Sequence, residues 1–262
     1  MSSKINKPIA VIVLAAGQGK RMQNPDLPKV LVPLSKKPLL QHVTDQAALL
    51  HPQSITFVIG HKREKVRTFA SSLGLQNTHF AVQDKQMGTG HAVGKCREIL
   101  KDFEGQTLIL LGDVPLLRSH TLSILIEHHN EHNLDLSVLS AITSNPSGYG
   151  RIIRDDDGKF KKIVEHKDAT MSELASTEIN SGIFLVNNQK LFSALKKVSN
   201  DNAQGEYYLT DIVEIFANEG WSVSAHPGAG IDELQGINSA EDLMNAEKYY
   251  NELIVPQKVL SK

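Results

Sequence analysis

Four short apolar runs, Ile9 to Leu14, Ile55 to Ile59, His79 to Gln83 and Thr107 to Leu111, alternate with stretches of helical apolar spacing near Leu39 to Leu50, Lys62 to Leu73, Gly90 to Leu100 and Leu122 to His132. The first run is rich in β-branched residues and too short for a stable helix, so it reads as a buried strand. Alternating strands and helices build βαβ units, whose crossovers place helices on both faces of a mainly parallel sheet. The expected fold is therefore α/β, doubly wound and Rossmann-like. Leu136 to Ile142 adds a strand. Beyond it the character changes: Arg151 to Arg154, Phe160 to Glu165 and Glu178 to Val186 are strand-like pieces around the Asp155-Asp156-Asp157-Gly158 turn, with no long helix between them. They predict a β-rich lobe inserted into the sheet. Helices are expected over Leu209 to Asn218 and Ala240 to Leu253, the second stopping before Pro256, with a strand at Trp221 to His226 between them.

At 262 residues the chain suits one α/β domain with a substantial insertion. With 40% hydrophobic residues and a formal net charge of −1, it is neither a disordered chain nor a strongly basic nucleic-acid binder, so any phosphate recognition must be local. The single cysteine, Cys96, has no disulfide partner within the chain, which fits a reducing cytoplasm; it is expected as a small buried residue on a helix. Lys4 and Lys7 before an apolar stretch superficially resemble a secretory signal, but cleavage near Ala16 would destroy the proposed first strand and its loop. No apolar segment approaches the roughly 20 residues that span a bilayer. The expectation is a soluble, cytoplasmic protein without membrane insertion. The eleven histidines show no convincing metal pair, and His128, His129 and His132 read as a solvated helix face.

The first strand runs into Leu14-Ala15-Ala16-Gly17-Gln18-Gly19-Lys20-Arg21-Met22, with Pro28-Lys29-Val30 shortly after. Ligands bind beyond the carboxyl ends of strands in open α/β sheets. Glycines there let backbone N–H groups approach an anion, and Lys20, Arg21 and Lys29 supply the charge a triphosphate needs. A Walker A loop is excluded because Arg21, not Ser or Thr, follows Gly19-Lys20. A dinucleotide fingerprint fails too: Met22 stands where its third glycine belongs, and the second strand ends in Gly60-His61 and not in an acidic residue. Asp113, after Leu108 to Gly112, places a carboxylate at the end of a strand, where it reads either as a metal ligand or as a turn-forming Asp. Asn238 on its own reads as an N-cap of the last helix.

Further motifs follow in order: Gln83, Gly88-Thr89-Gly90-His91-Ala92, Gly112-Asp113-Val114-Pro115-Leu116, Gly148-Tyr149-Gly150-Arg151-Ile152, Val164-Glu165-His166-Lys167-Asp168-Ala169, Glu178-Ile179-Asn180-Ser181-Gly182 and Asn202-Ala203-Gln204-Gly205-Glu206-Tyr207-Tyr208. With the glycine loop they resemble the sugar-nucleotide pyrophosphorylases, and in particular the uridyltransferase half of the bacterial bifunctional N-acetylglucosamine-1-phosphate uridyltransferase/acetyltransferase family. The likeness runs from about Ile9 to the final helix. The hexapeptide repeat of that family's β-helix acetyltransferase does not occur in the sequence, so only the first activity is carried over.

The resemblance implies a sugar nucleotidyltransferase fold in one domain: a nucleotide-binding sublobe over about residues 1–142, a sugar-binding sublobe over about 143–238, and a C-terminal helix and tail over about 239–262. It implies transfer of UMP from UTP to N-acetylglucosamine 1-phosphate with release of pyrophosphate. Leu14, Ala15, Ala16, Gly17, Gln83, Gly88 and Thr89 would bind the nucleotide, with the Gln83 amide both donating to and accepting from uracil. Lys29 would hold the α-phosphate and Arg21 the departing phosphates. Asp113 and Asn238 would hold Mg²⁺, while Gly150, Glu165 and Asn180 would face the sugar. Three departures concern substrate preference: Lys20 stands where relatives commonly carry threonine, Leu111 where an aromatic residue is frequent, and Lys36 where glycine is usual. The residues leave open another sugar or triphosphate, a silent nucleotide-sugar sensor, a homo-oligomer and a separate acetyltransferase partner.

Overall fold

Residues Ile9–Ala15 form the strand β1, and alternate side chains of it enter two different cores. Ala10 and Ile12 belong to one, Val11, Val13 and Ala15 to the other. A strand covered on both faces needs an unbroken apolar run, which explains why this segment lacks the polar alternation of a half-exposed strand. The computed structural model describes residues 7–19, 22 and 27–254. After β1 come the short hairpin β2 (Pro33–Leu34) and β3 (Lys37–Pro38), α1 (Leu39–Ala48), β4 (Ser54–Ile59), α2 (Arg63–Ser72) and β5 (Thr78–Val82). Then follow α3 (Thr89–Gly94), α4 (Arg97–Leu100), β6 (Gln106–Leu111), α5 (Ser119–Glu131) and β7 (Leu136–Ile142). The remainder comprises β8 (Arg151–Arg154), β9 (Phe160–Val164), α6 (Met171–Leu174), β10 (Glu178–Asn187), α7 (Asn188–Ala194), α8 (Ile212–Asn218), β11 (Val223–His226), α9 (Ile231–Leu234) and α10 (Ala240–Tyr249).

The main sheet has the order β11-β7-β10-β6-β1-β4-β5, with β8 paired to β10 and β9 to β8. Strands β6, β1, β4 and β5 are mutually parallel, as are β7 and β11. One face packs on α1, α2 and α5 through Val43, Val66 and Leu122; the other packs on α3, α7 and α8 through Val93, Leu191 and Phe216. The doubly wound, largely parallel α/β sheet expected from the alternation is thus present.

The strand β10 runs antiparallel between β6 and β7. The β8–β9 hairpin extends from it through the pair Ile179↔Arg151, so the β-rich region is continuous with the central sheet. Between Asn180 and Phe184 the register of β10 against β7 shifts, and Gly182 sits there at φ +79. The left-handed conformation is open to glycine without a Cβ penalty, and a bulge of this kind re-aims the neighbouring side chain. Because β10 is antiparallel, its first residues lie at the same edge as the carboxyl ends of β1, β4, β5 and β6.

Several expectations are refined. The helix predicted over Gly90 to Leu100 is two short helices, α3 and α4, with Cys96 buried at their junction. The last helix ends its regular α geometry at Tyr249 and continues as a wider turn over Tyr250–Ile254. His129 is not solvated: it is 1% exposed, its Nδ1 pairs with Ser137 Oγ at 2.8 Å, and burial holds its pKa down at about 4. The helix α5 buries Leu122, Leu125 and His129 together, and the imidazole supplies a polar partner for a serine inside the core. The hairpin turn has Ser35 at φ 48 and Lys36 at φ 70, two successive left-handed residues of the sort that a two-residue β-hairpin demands. That conformation accounts for glycine being usual at the place of Lys36.

Candidate active site

Beyond the carboxyl ends of the parallel strands, three chain segments distant in sequence meet at one ammonium group. Lys29 lies in the 3₁₀ turn Lys29–Leu31, entered through Pro28 at φ −55 and anchored by buried Val30. Its Nζ forms an ion pair with Asp113 Oδ2 and donates to Asn238 Oδ1 at 3.0 Å. The Lys29 and Asp113 side chains are only 11% and 19% exposed, so the pair is mostly shielded from solvent. Asp113 follows β6, and its carbonyl accepts from Ile237 N–H at 2.8 Å, which brings the loop before α10 alongside. Ser239, and not Asn238, caps α10: Ser239 Oγ accepts from Asp242 N–H, and Asp242 accepts in return. That capping box leaves the Asn238 side chain free to point at Lys29.

The glycine loop lies against this group. A Cβ on Gly19, at φ +62, would come within 2.6 Å of Lys29 Cβ, so the loop can close over the lysine stem only with glycine there. Gly17 differs, since a Cβ on it would meet nothing within 4 Å. Leu14 O accepts from Gly112 N–H at 2.9 Å, and Ala16 O accepts from His61 N–H at 3.3 Å, which fixes the ends of β1, β4 and β6 together. Lys20 and Arg21 lie outside the described residues.

Gln83 follows β5 and is 3% exposed. Its Nε2 donates to Gly88 O at 3.0 Å and meets His91 Nδ1 at 3.1 Å. One amide proton is therefore used on the Gly88 carbonyl, while the roles in the His91 contact follow the imidazole tautomer, and Oε1 remains an acceptor. Gly88, at φ +102, would carry a Cβ 2.5 Å from Tyr207 O, while Thr89 Oγ1 accepts from Leu209 N–H at 3.0 Å. The segment around Tyr207 therefore braces this corner. Neither role of Tyr207 nor that of His91 was assigned from sequence, because both are made by contacts between distant segments.

A second group sits at the start of β10. A Cβ on Gly150 would lie 3.5 Å from Glu165 Oε2 and 3.6 Å from Asn180 Cβ, so these three residues share one place. Asn180 Oδ1 accepts from Gly182 N–H at 2.9 Å across the bulge, leaving its amide NH₂ to donate. Thr210 Oγ1 donates to Glu165 Oε1 at 3.0 Å. Burial pushes the Glu165 carboxyl up, Thr210 opposes the shift, and Asp168 and Glu206 add to it. Asp211 alongside is pushed up to about 6, by burial first and then by Glu165, Glu214 and Asp168. Of this acidic cluster Asp211 and Glu214 lie outside the ordered motifs, so the sequence did not single them out.

Could a divalent cation be held here? Asp113 Oδ2 and Asn238 Oδ1 converge on one positively charged nitrogen, so their geometry already accommodates a cation. Both are hard oxygen donors of the type Mg²⁺ prefers, which usually takes one or two protein ligands plus phosphates and water. Among the described residues no cluster of three or more His, Cys, Asp or Glu side chains forms a self-sufficient metal cage. The residues fit a metal brought in with phosphates.

A glycine loop at strand ends, a shielded lysine between a carboxylate and an amide oxygen, and a buried glutamine held by a backbone carbonyl suit a nucleotide-handling transferase. Comparison with known proteins agrees: the chain belongs to the nucleotidyl transferase family, whose model matches residues 10–231. The bifunctional protein GlmU of Bacillus cytotoxicus is 46% identical over 236 residues, and that of Bacillus cereus 45%. Each match covers 90% of this chain and 50% of the relative, so the chain spans about half the length of these relatives. The fold is shared with a putative glucose-1-phosphate thymidylyltransferase of Bacillus anthracis (TM-score 0.73, 19% identity, covering 94% and 96% of the two chains). It is shared too with a UDP-glucose pyrophosphorylase crystallised with UDP-glucose (TM-score 0.74, 17% identity, covering 94% and 99%). Among the described residues no helix is long and apolar enough to cross a membrane.

Proposed function

We propose that the chain transfers UMP from UTP to N-acetylglucosamine 1-phosphate, giving UDP-N-acetylglucosamine and pyrophosphate. The observation that carries this reading is the meeting of Lys29, Asp113 and Asn238 beyond the strand ends, in a chain that also brings Gln83 against Gly88 and gathers Gly150, Glu165 and Asn180. The ordered motifs and the 46% identical relative support the family-specific substrates over a generic nucleotide fold.

In this reaction a sugar-phosphate oxygen attacks the α-phosphorus of UTP, the new P–O bond forms as the α–β bridge breaks, and pyrophosphate leaves with the electron pair. The protein's part is alignment and charge neutralisation. Lys29 places an ammonium on the α-phosphate, where negative charge accumulates. Arg21 is assigned the departing phosphates on the strength of its place in the motif. Gly17 lets the loop backbone approach the triphosphate. Gln83 Oε1 accepts from uracil N3–H, and the Gly88 backbone and Thr89 frame the base. Glu165 Oε2 accepts from sugar hydroxyls while Thr210 holds its other oxygen, and the Asn180 amide donates toward the N-acetyl carbonyl. Asp113 and Asn238 would hold Mg²⁺, which when bound neutralises phosphate charge.

Pyrophosphate release measured across UTP, CTP, dTTP and ATP against glucose, galactose, glucosamine and N-acetylglucosamine 1-phosphates tests the proposal. UTP with N-acetylglucosamine 1-phosphate should lead in kcat/KM. Asn180→Ala should narrow the preference for the N-acetyl sugar over glucose 1-phosphate, because buried groups left unpaired by the wrong sugar account for the discrimination. Equal kcat/KM for those two sugars in the wild type would overturn the sugar assignment and spare the transfer chemistry.

A further inference from the structure

The segment from Tyr207 to Thr210 is bonded to both halves of the site. On the nucleotide side Tyr207 N–H donates to Met87 O and Tyr207 O accepts from Gly90 N–H, each at 2.8 Å, while Leu209 N–H donates to Thr89 Oγ1 at 3.0 Å. On the sugar side the next residue along serves each time: Tyr208 Oη donates to Asp168 Oδ2 at 3.2 Å, and Thr210 Oγ1 to Glu165 Oε1 at 3.0 Å. Asp168 also joins the turn that carries Glu165. Its N–H donates to Glu165 O at 2.9 Å, and its Oδ1 accepts from Ala203 N–H at 2.8 Å. One carboxylate therefore bridges the Glu165 turn and the facing segment. Resting on the reading of Glu165 as a sugar ligand, we propose that Asp168 is a positioning residue of the sugar subsite: it ties the Glu165 turn to the segment 203–210, keeping Thr210 on Glu165 Oε1 and Glu165 Oε2 open to the sugar.

The direction of the Tyr208 bond is fixed by its neighbours. Lys167 Nζ can only donate, and it meets Gln204 Oε1 at 3.0 Å, so the Gln204 amide turns Nε2 toward Tyr208 Oη, 2.9 Å away. The phenol oxygen accepts there and has its one proton for Asp168. Asp168 itself is exposed, but Tyr208 is only 7% exposed, so the phenol bond is the shielded part of the clamp. The charge of Asp168 works against its neighbour, since it adds to the upward push that burial gives the Glu165 carboxyl. What Asp168 contributes to Glu165 is accordingly position and not charge. An asparagine supplies the same position: its Oδ1 accepts from Ala203 N–H, and its Nδ2 donates to the phenol oxygen.

The test is KM for N-acetylglucosamine 1-phosphate and for UTP, each varied with the other saturating, in the wild type, Asp168→Ala, Asp168→Asn, Tyr208→Phe and Asp168→Ala/Tyr208→Phe. Asp168→Ala should raise the sugar-phosphate KM about tenfold or more and Tyr208→Phe about fivefold, the weight of two lost hydrogen bonds and of one. KM for UTP should stay within about twofold, because the bonds to Met87, Thr89 and Gly90 do not involve Asp168. Asp168→Asn should keep both values within about twofold. The double variant should be no worse than Asp168→Ala, since both single changes break the same bond. Tyr208→Phe, which keeps the ring, carries the test if Asp168→Ala does not fold. A wild-type sugar-phosphate KM in either folded single variant overturns the proposal while leaving nucleotidyl transfer intact. Equal rises in both KM values overturn it as a general loosening, and so does a loss in Asp168→Asn equal to that in Asp168→Ala. Additive effects in the double variant overturn it as well. An unchanged sugar-phosphate KM in Glu165→Ala overturns the reading of Glu165 as a sugar ligand, and this inference with it.

Discussion

Replacing Lys29 by alanine should separate two properties that the structure ties together. The ammonium makes one charge-assisted contact with Asp113 and one 3.0 Å bond to Asn238, with the two charged side chains only 11% and 19% exposed. At roughly 1.5–3 kcal/mol for the first and about 1 kcal/mol for the second, Lys29→Ala should cost the folded state about 2–4 kcal/mol. For a chain of this length that is a fall in Tm of roughly 4–8 °C. The same change exposes two convergent oxygens to any other cation. Mg²⁺ at ten times its Kd stabilises by about 1.4 kcal/mol, so Mg²⁺ without substrate should recover roughly 3 °C of the lost Tm in Lys29→Ala. The wild type should respond less, because there the metal competes with the ammonium for the same oxygens. Activity should move the other way: kcat should fall about 10²-fold or more, as when a charge-stabilising group is removed from a transition state. Thermal melts with MgCl₂ and with NaCl of matched ionic strength, in the wild type, Lys29→Ala and Lys29→Ala/Asp113→Asn, give the answer. Equal Mg²⁺ shifts in all three proteins would show that Asp113 and Asn238 are not a cation seat.

Gly17→Ala should melt as the wild type does, since its methyl meets no protein atom within 4 Å, yet should weaken UTP binding measured by calorimetry; unaltered affinity would remove Gly17 from the phosphate site. Asp211 has a folded-state pKa raised to about 6 from an ordinary 3.8, so its charge destabilises the fold above that range and the penalty vanishes as pH falls through the window. Asp211→Asn should therefore raise Tm at pH 7.5 by roughly 2–4 °C and leave it nearly unchanged at pH 4, after solvent screening is allowed for; a gain of the same size at both pH values would contradict the sign. Lys36→Gly should raise Tm by about 2 °C by relieving a left-handed residue at φ 70, partly offset by the greater freedom of glycine in the unfolded chain. A lowered Tm would assign the Lys36 side chain a stabilising contact.

By itself the sequence determined what depends on near neighbours along the chain. The runs at Ile9, Ile55 and Thr107 declare buried strands because burial on both faces demands uninterrupted apolar residues, and β1, β4 and β6 follow them closely. Asp113 was legible as a site residue because a carboxylate directly after such a run must emerge at a strand end. Asn238 was legible only through motif resemblance, since by local rules it reads as the cap of α10, a place that Ser239 takes in the structure. What the tertiary structure alone decided is which distant segments meet. The antiparallel insertion of β10 between β6 and β7 carries Asn180 to the edge where β1, β5 and β6 end, and no local periodicity encodes strand order. The burial of His129 against Ser137, the acidic neighbourhood that raises Asp211, and the turning of the Gln83 amide toward His91 have the same origin. Propensity and spacing report the energy of residues a few positions apart. A hydrogen bond between Lys29 and Asn238, 209 positions apart, exists only once the sheet has closed the loop between them.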